Sequence, residues 1–109
     1  MNKAIIIGHC TKDAELKTFD NFQVAEFSVA TNESYKDSNG NKVEKAEFHN
    51  LKAFGKLAEI AEKYFKKGTH LYCEGKLQTS SWEKDGIKKY KTEIILNQFE
   101  FLGSNKKVT

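Results

Sequence analysis

The sequence of this 109-residue chain predicts an all-β protein with one α-helix, and three observations carry the prediction. Most of the chain consists of segments rich in β-branched and aromatic residues, several of which alternate apolar and polar side chains with the two-residue period of a strand. Two turn signals, Asn39-Gly40 and Asp85-Gly86, each separate a pair of such segments. Only the segment 55–68 has apolar residues at helical spacing.

The predicted strands follow one another in five segments, at residues 3–8, 22–36, 43–54, 69–82 and 88–102. Alternation predicts core faces on the second and fourth strands: Ala25, Phe27 and Val29 in the second, and Leu71, Cys73, Gly75, Leu77 and Thr79 in the fourth. Asn-Gly and Asp-Gly accept the positive φ angles of tight hairpin turns. The second and third strands, and the fourth and fifth, are therefore predicted to form two long β-hairpins.

The helix is predicted over residues 55–68, GKLAEIAEKYFKKG, between the third and fourth strands. Its apolar stripe consists of Leu57, Ile60, Ala61, Tyr64 and Phe65. Gly68 is predicted to end the helix in a left-handed conformation. Three strands, a helix and two strands is the element order of the OB-fold, a five-stranded Greek-key barrel that binds oligonucleotides on one face. Other small barrels and α+β sandwiches fit the same pattern.

Length and composition predict one folded domain at residues 1–103, followed by a short disordered tail at 104–109. No apolar run is long enough to span a membrane, and no signal peptide is recognisable, so a cytoplasmic protein is expected. Cys10 and Cys73 are expected to be reduced thiols. The net charge is +3, and all 18 basic residues are lysine. Lysine acts as a point charge toward phosphate, so a nucleic-acid partner would be bound by its backbone more than by its sequence.

Aromatic side chains share polar strand faces with lysines at several places. In FHNLKAF, residues 48–54, Phe48 and Phe54 lie on the same face as Lys52. In the fourth strand, Trp82 and Tyr72 share a face with lysine and glutamine residues. Such rings are either a second small core or subunit interface, or stacking platforms for unpaired bases with lysines following the phosphates. The repeated interleaving favours binding.

An enzyme is not expected. The chain has no GxSxG, P-loop or GxGxxG motif, and no paired carboxylates are recognisable on the proposed face. His70 and Cys73 lie three apart on a strand and point to opposite faces, so no metal site and no cofactor are predicted. An OB-fold RNA binder of the cold-shock type and a barrel that binds another polypeptide remain as alternatives.

The ordered segments MNKAIIIG, FSVATNESYKD, AEFHNLKAFGKLAEIAEKYFKKG, LYCEGKLQTSSWEKDG, YKTEI and FEFLG resemble the bacterial-type single-stranded DNA-binding proteins, OB-fold proteins that form homotetramers. The resemblance covers about residues 1–103 and implies sequence-independent binding and protection of single-stranded DNA in replication, recombination and repair. It assigns base stacking to Tyr35, Phe48, Phe54 and Trp82. The lysines interleaved with the rings are expected to contact phosphates; they are Lys36, Lys52, Lys56, Lys76 and Lys89. The resemblance links His49 to subunit assembly, and Tyr72 is expected to take part in the same interface.

The resemblance also implies single-stranded DNA and further copies of the chain as partners, in a homotetramer built from dimers, within the nucleoid. Members of this family usually continue into a flexible linker with an acidic tip that recruits replication and repair enzymes. This sequence ends NKKVT, with Lys106 and Lys107 and no acidic tail. Recruitment of replication and repair proteins is therefore not expected from these residues.

Overall fold

The computed structural model describes residues 1–103, and the prediction of a disordered tail at 104–109 lies outside the described residues. Along the described chain the elements are β1 (Ala4–Cys10), β2 (Glu15–Thr18), β3 (Gln23–Lys36), β4 (Lys42–Phe54), α1 (Lys56–Tyr64), β5 (His70–Lys84) and β6 (Ile87–Phe101). Within residues 1–103, no helix is long and apolar enough to cross a membrane.

Five of the strands close into a barrel. Their order is β1-β5-β6-β4-β3, and β1 also pairs with β3, which completes the ring. All these pairs are antiparallel except β4 with β6, which run parallel where Leu51 and Lys52 lie opposite Ile94 and Ile95. The helix lies between the third and fourth barrel strands along the chain. The predicted all-β, five-stranded OB-fold barrel with long hairpins is confirmed.

The short strand β2 was not predicted. It pairs with β3 on the side opposite β4 and so extends the sheet beyond the barrel. Its sequence, ELKT, has four residues and only Leu16 is partly buried. Four residues are too few to show a two-residue period, which is why the pattern did not reveal it.

The barrel interior is filled mainly by β-strand side chains and by the helix. Phe65, which follows α1, is fully buried and packs edge-to-face against Phe27 and Phe99 at ring-centroid distances of 4.9 and 5.0 Å. The predicted core face of β3 is confirmed, because Ala25, Phe27 and Val29 are all buried. The helix ends at Tyr64, earlier than predicted. Gly68 does have a positive φ of 90°, but in the following loop, where its N–H donates to the Cys10 carbonyl.

Gly75 marks the point at which β5 leaves the barrel. A Cβ atom here would overlap the carbonyl oxygen of Ile95 and lie 2.9 Å from Cγ2 of Ile94, so the two strands approach too closely for any side chain. Beyond it, Leu77 is 48% exposed and Thr79 is exposed, so the prediction that both belong to the core was wrong. Alternation continues along the projecting hairpin, but no other layer of the described chain covers either face there.

The two hairpin turns differ in construction. Asp85 and Gly86 both have positive φ, 55° and 79°, as in a two-residue type I′ turn. At the other hairpin only Gly40 has positive φ, 83°, within the loop 37–41. The Asp37 carboxylate accepts hydrogen bonds from the N–H groups of Asn39 and Asn41, both at 2.9 Å, and so holds that loop.

Candidate nucleic-acid interface

Aromatic and lysine side chains cover the outward faces of β4, β6 and β5, which are neighbours in the barrel. On β4, Phe48 and Phe54 point outward while Leu51 and Ala53 between them are buried in the core. On the hairpin, Trp82 of β5 lies directly opposite Lys89 of β6. We call this face the ring-and-lysine surface and define it by Phe48, Asn50, Lys52, Phe54, Lys76, Trp82, Lys89 and Lys91.

The predicted stacking residues are all accessible. Phe48 is 65% exposed, Tyr35 55%, Trp82 45% and Phe54 42%. Rings of this size on a strand are normally covered, because each removes a large apolar area from water when it packs. Four accessible rings on one barrel are therefore available to an external ligand.

Tyr35 does not share a face with the other three. It pairs with Val43, and register and alternation put this pair on the same side of the β3–β4 ribbon as Thr31 and His49, which is opposite to Phe48. A ligand that contacts both Tyr35 and Phe48 has to pass around the ribbon. The expected grouping of four rings on one face is thus reduced to three, with the stacking role of Tyr35 still a prediction.

A groove of about 410 Å³ lies beside Phe48. Its lining includes Asn50 and Phe48 from β4, Lys12 and Glu15 near β2, and Lys91 from β6. Its charged lining combines two lysines, Lys12 and Lys91, with the glutamates Glu15, Glu26 and Glu93, so the groove is mixed rather than strongly positive. Lys91 was not predicted as a site residue, although its position two residues after Lys89 on the same strand face indicates it.

Glu93 is the buried charge under this surface. It is 6% exposed, and its carboxylate contacts Lys52 Nζ at 3.3 Å and Lys91 Nζ at 3.5 Å. A buried carboxylate needs such partners, and removing one of them leaves an uncompensated charge. Lys52 is therefore engaged in a structural ion pair, and its predicted phosphate contact would require it to serve both anions.

The other predicted phosphate contacts are exposed and lie at different places. Lys76 and Lys89 are on the hairpin formed by β5 and β6, and Lys89 is the direct neighbour of Trp82. Lys36 ends β3 and lies opposite Lys42, while Lys56 begins α1 just after Phe54. Of the five predicted lysines, Lys89 has the arrangement that best matches a stacked base beside a neutralised phosphate.

The two predicted assembly residues lie on different surfaces. His49 points toward the inner side of β4, partly buried, with its Nε2 atom 3.1 Å from the Thr31 hydroxyl. Tyr72 points outward from β5, and its hydroxyl donates to Glu74 Oε1 at 2.9 Å. The structure therefore does not bring them together, and their roles in assembly remain predictions.

Tyr72 belongs to a second outward face, which carries aliphatic side chains. Ile7 lies opposite Tyr72 and Ile5 opposite Glu74, and the two isoleucines are 51% and 52% exposed. Lys3 contacts Glu74 at 3.3 Å. We call this face the isoleucine surface and define it by Lys3, Ile5, Ile7, Tyr72 and Glu74.

Titration on the isoleucine surface follows from these contacts. The hydrogen bond to Glu74 raises the pKa of Tyr72, since it stabilises the protonated hydroxyl. The same bond from Tyr72, followed by the contact with Lys3, lowers the pKa of Glu74. Both groups therefore keep their neutral-pH forms, a protonated tyrosine and an ionised glutamate, over a wider pH range.

The cysteine and histidine side chains of residues 1–103 form neither a reactive thiol nor a metal-binding group. Cys10 and Cys73 are free and buried, and burial raises the pKa of their thiols to about 11 and about 12. Such thiols are protonated at neutral pH and are poor nucleophiles. The rings of His9 and His70 stack at 4.3 Å on neighbouring strands. Among residues 1–103, no three histidine, cysteine, aspartate or glutamate side chains are grouped to hold a metal.

Three exposed aromatic residues were not predicted from the sequence: Tyr90 on β6, which is 65% exposed, and the pair Phe19 and Phe22. Phe19 and Phe22, each 50% exposed, flank the turn between β2 and β3 and contact the Phe54 ring through Phe22. The available signal was FDNF, two large rings on either side of an Asp-Asn turn in a polar segment. This signal is weak by itself, because the four-residue strand β2 is too short to show the hairpin that carries the two rings.

Comparison with known proteins identifies relatives of the whole described chain. The family described as the single-strand binding protein family matches residues 1–102. Single-stranded DNA-binding protein 1 of Chlorobaculum tepidum is 46% identical over 107 residues, which are 95% of this chain and 66% of the relative. Single-stranded DNA-binding protein of Neisseria meningitidis serogroup A is 43% identical over 105 residues, 94% of this chain and 60% of the relative. The chain thus spans 60–66% of the length of these relatives.

Two solved structures have the same fold as this chain. The Plasmodium falciparum SSB in complex with ssDNA matches with a TM-score of 0.87 and 30% identity, over 94% of this chain and 96% of that one. A deletion mutant of the single-stranded DNA binding protein from Thermus aquaticus matches with a TM-score of 0.83 over 94% of this chain and 51% of that one. Its identity, 24%, supports the fold alone. Because the family match and the identities extend over nearly the whole chain, this protein belongs to the single-strand binding protein family.

Proposed function

We propose that this chain binds single-stranded DNA without sequence preference, through the ring-and-lysine surface. Phe48, Phe54 and Trp82 stack on successive bases, and Lys89 and its neighbours neutralise phosphates. Every base has a π-face, so stacking tolerates any sequence, and each stacked base contributes ~1–3 kcal/mol. The relatives named single-stranded DNA-binding proteins, and the similar structure solved with ssDNA, support this ligand.

The observation that carries the proposal is the pairing of Trp82 with Lys89 on the projecting hairpin. Trp82 is 45% exposed and lies on the projecting hairpin, outside the barrel core. The packing of the core therefore does not require a large ring at this position. A large flat ring beside a cation matches a nucleotide, with its flat base and anionic phosphate. The same combination recurs on β4, where Lys52 lies between the outward rings of Phe48 and Phe54.

The mechanism is stoichiometric binding. A strand whose bases are stacked on protein rings has no free faces for re-pairing, and its backbone lies against the protein surface. No bond is made or broken and no cofactor takes part. Tyr35, Lys36, Lys56 and Lys76 extend the contact to the far side of the β3–β4 ribbon, the helix start and the base of the hairpin. Occupied DNA is thereby protected during replication, recombination and repair.

We further propose that copies of the chain assemble, through the isoleucine surface and with a contribution from His49, into a homotetramer built from dimers. Ile5 and Ile7 expose about half of their area on one strand face, and the face is rimmed by polar groups that are already paired with one another. Several barrels joined in this way let one DNA strand contact more than one of them, which raises affinity through effective concentration. Such a protein would act in the cytoplasm, associated with the nucleoid.

The experiment is a titration of labelled oligo-dT with the wild type and with Phe54→Ala and Trp82→Ala. Each variant is expected to lose ~1–3 kcal/mol of binding free energy, because one stacked base loses its platform. Ser80→Ala, an exposed change on the same strand face as Trp82, is the matched control and should bind normally. Normal binding by both ring variants, with folding intact by circular dichroism, would disprove the site. Tighter binding of oligo-rU than of oligo-dT would favour RNA instead.

A further inference from the structure

We propose that Phe19 and Phe22, together with Phe54, form an additional base-stacking site that continues the single-stranded DNA path past β4 and across the turn between β2 and β3. The three rings are called the phenylalanine cluster below. This proposal rests on the proposed function, because it assigns further nucleotides of the same strand to the cluster.

The cluster is built by the short hairpin of β2 and β3. Thr18 and Gln23 are the last register pair, and beyond them the Phe19 N–H donates to the Phe22 carbonyl at 2.8 Å. The turn between the two rings consists of residues 20 and 21. On the other side, the Gly55 N–H donates to the Gln23 carbonyl at 3.1 Å, which ties the end of β4 to the start of β3. These bonds fix the backbone that carries all three rings.

The three rings contact one another in a row, with Phe22 between Phe19 and Phe54. Phe19 and Phe22 stack with centroids 4.9 Å apart at an interplanar angle of 26°, and Phe22 meets Phe54 at 6.3 Å and 47°. Each keeps between 42% and 50% of its area exposed. Core phenylalanines such as Phe65 are fully covered, whereas these three contiguous rings are not. Contiguous exposed apolar patches commonly mark binding sites.

The cluster is continuous with the ring-and-lysine surface. Phe22 directly precedes β3, and alternation puts it on the same outward side as Glu26, which lies directly opposite Lys52. A strand stacked on Phe54 therefore reaches Phe22 and Phe19 without changing sides of the sheet. Such a continuation needs only the chemistry already used at Phe54, a flat apolar face for an unpaired base.

The charges beside the cluster indicate where the backbone of the DNA would run. Lys17 on β2 lies opposite Val24, which in turn lies opposite Phe54, and it contacts Glu26 at 3.1 Å. Lys56, at the start of α1, follows Phe54 by two residues. Asp20 is exposed in the turn and repels phosphate there. Phosphates are thus expected on the lysine sides of the cluster, with the bases over the rings.

The test compares Phe22→Leu with Phe22→Tyr in titrations of long oligo-dT. Leucine keeps most of the apolar volume but has no flat face, whereas tyrosine keeps the ring. Phe22→Leu is expected to weaken binding roughly 5- to 150-fold, and Phe22→Tyr to stay close to the wild type. Urea unfolding and sedimentation of each variant check the fold and the oligomeric state.

A second measurement keeps the proposal testable if Phe22→Leu is poorly folded. In the double variant Trp82→Phe/Phe22→Trp the single tryptophan lies in the cluster, and saturating oligo-dT should quench its fluorescence. Binding of the same sample is followed separately by the anisotropy of labelled oligo-dT, and free tryptophan amide corrects for absorption by the DNA.

The outcomes are distinct. Unchanged affinity of a folded Phe22→Leu, equal losses in the leucine and tyrosine variants, or no quenching of the introduced tryptophan in a DNA-bound sample each overturn the cluster as a stacking site. A change of oligomeric state with unchanged DNA affinity indicates that a second copy covers the rings, and also overturns it. If the wild type itself does not bind oligo-dT, the proposed function fails first, and this inference fails with it.

Discussion

The two outward faces of the barrel have the same strand geometry but expose different kinds of side chain. The ring-and-lysine surface exposes Phe48, Phe54 and Trp82 among lysines, two of which share one buried carboxylate. The isoleucine surface exposes Ile5 and Ile7, and its polar groups already bond to one another. Flat rings among exposed cations suit a nucleotide chain, whereas branched aliphatic side chains with a closed polar rim suit a copy of the same protein. Side-chain type therefore distinguishes the two faces where the backbone does not.

The largest expected effect is on the stability of the barrel that carries both faces. Gly75→Ala would put a Cβ onto the carbonyl of Ile95, where β5 and β6 approach closely, and the strands would have to separate. We expect a loss of about 3 kcal/mol in the free energy of unfolding. Urea unfolding measures it, with Ser80→Ala further along β5 as a control that should change stability by less than about 0.5 kcal/mol. An unchanged unfolding midpoint for Gly75→Ala would contradict the close approach.

Assembly should depend on the isoleucine surface and not on the ring-and-lysine surface. Ile7→Thr keeps a β-branched residue on β1 but removes apolar area. Because only the exposed half of Ile7 is left to be covered, each copy is expected to lose on the order of 1 kcal/mol of burial in the assembly. Sedimentation equilibrium should then show dissociation at protein concentrations where the wild type is assembled. Ile87→Thr is the matched control, because Ile87 is 60% exposed at the far end of the β5–β6 hairpin. Equal behaviour of the two variants would mean that another surface joins the copies.

Phosphate contacts should depend on lysines of the other face. Lys89→Ala is expected to reduce the slope of log K against log salt by about 0.7, the value for one phosphate on a single strand. Lys66→Ala is the control, since Lys66 lies beyond α1 with its Nζ on the Glu62 carbonyl. Lys52 is a poorer choice, because its removal would also take away one of the two lysines that contact the buried carboxylate of Glu93. An unchanged slope for Lys89→Ala would remove this residue from the site.

The smallest expected effect tests the closed polar rim. The bond from Tyr72 and the contact with Lys3 lower the pKa of Glu74, so the ionised carboxylate stabilises the folded state. This contribution is fully present above the ordinary glutamate pKa and is lost as the pH falls through the lowered value. Glu74→Gln should therefore be less stable than the wild type at pH 7, and the difference should vanish in strong acid. A difference that is independent of pH would contradict the role of the charge.

The barrel was predictable because its strands are long and their alternation is clear. Ala25, Phe27 and Val29 are buried as expected, and Asp85-Gly86 forms the tight turn that its composition indicates. Alternation failed at Leu77 because the period gives the side of a strand and not where the barrel ends.

The site was predictable in composition but not in arrangement. Exposed rings and lysines follow from the strand period, yet the placement of Tyr35 on the opposite face depends on cross-strand register, which no single strand encodes. Phe19 and Phe22 depend on β2, which is too short to show a period. The ion pair between Lys52 and Glu93 joins residues that are far apart in the sequence and follows only from the parallel contact of β4 with β6.

The separation of the two faces is tested most directly by one titration of a short labelled oligo-dT with Trp82→Ala and Ile7→Thr. A short oligonucleotide contacts a single barrel, so loss of assembly does not weaken its binding through effective concentration. The account predicts that Trp82→Ala binds roughly 5- to 150-fold more weakly than the wild type, and that Ile7→Thr binds as the wild type does. Equal losses in the two variants, or a loss confined to Ile7→Thr, would contradict it.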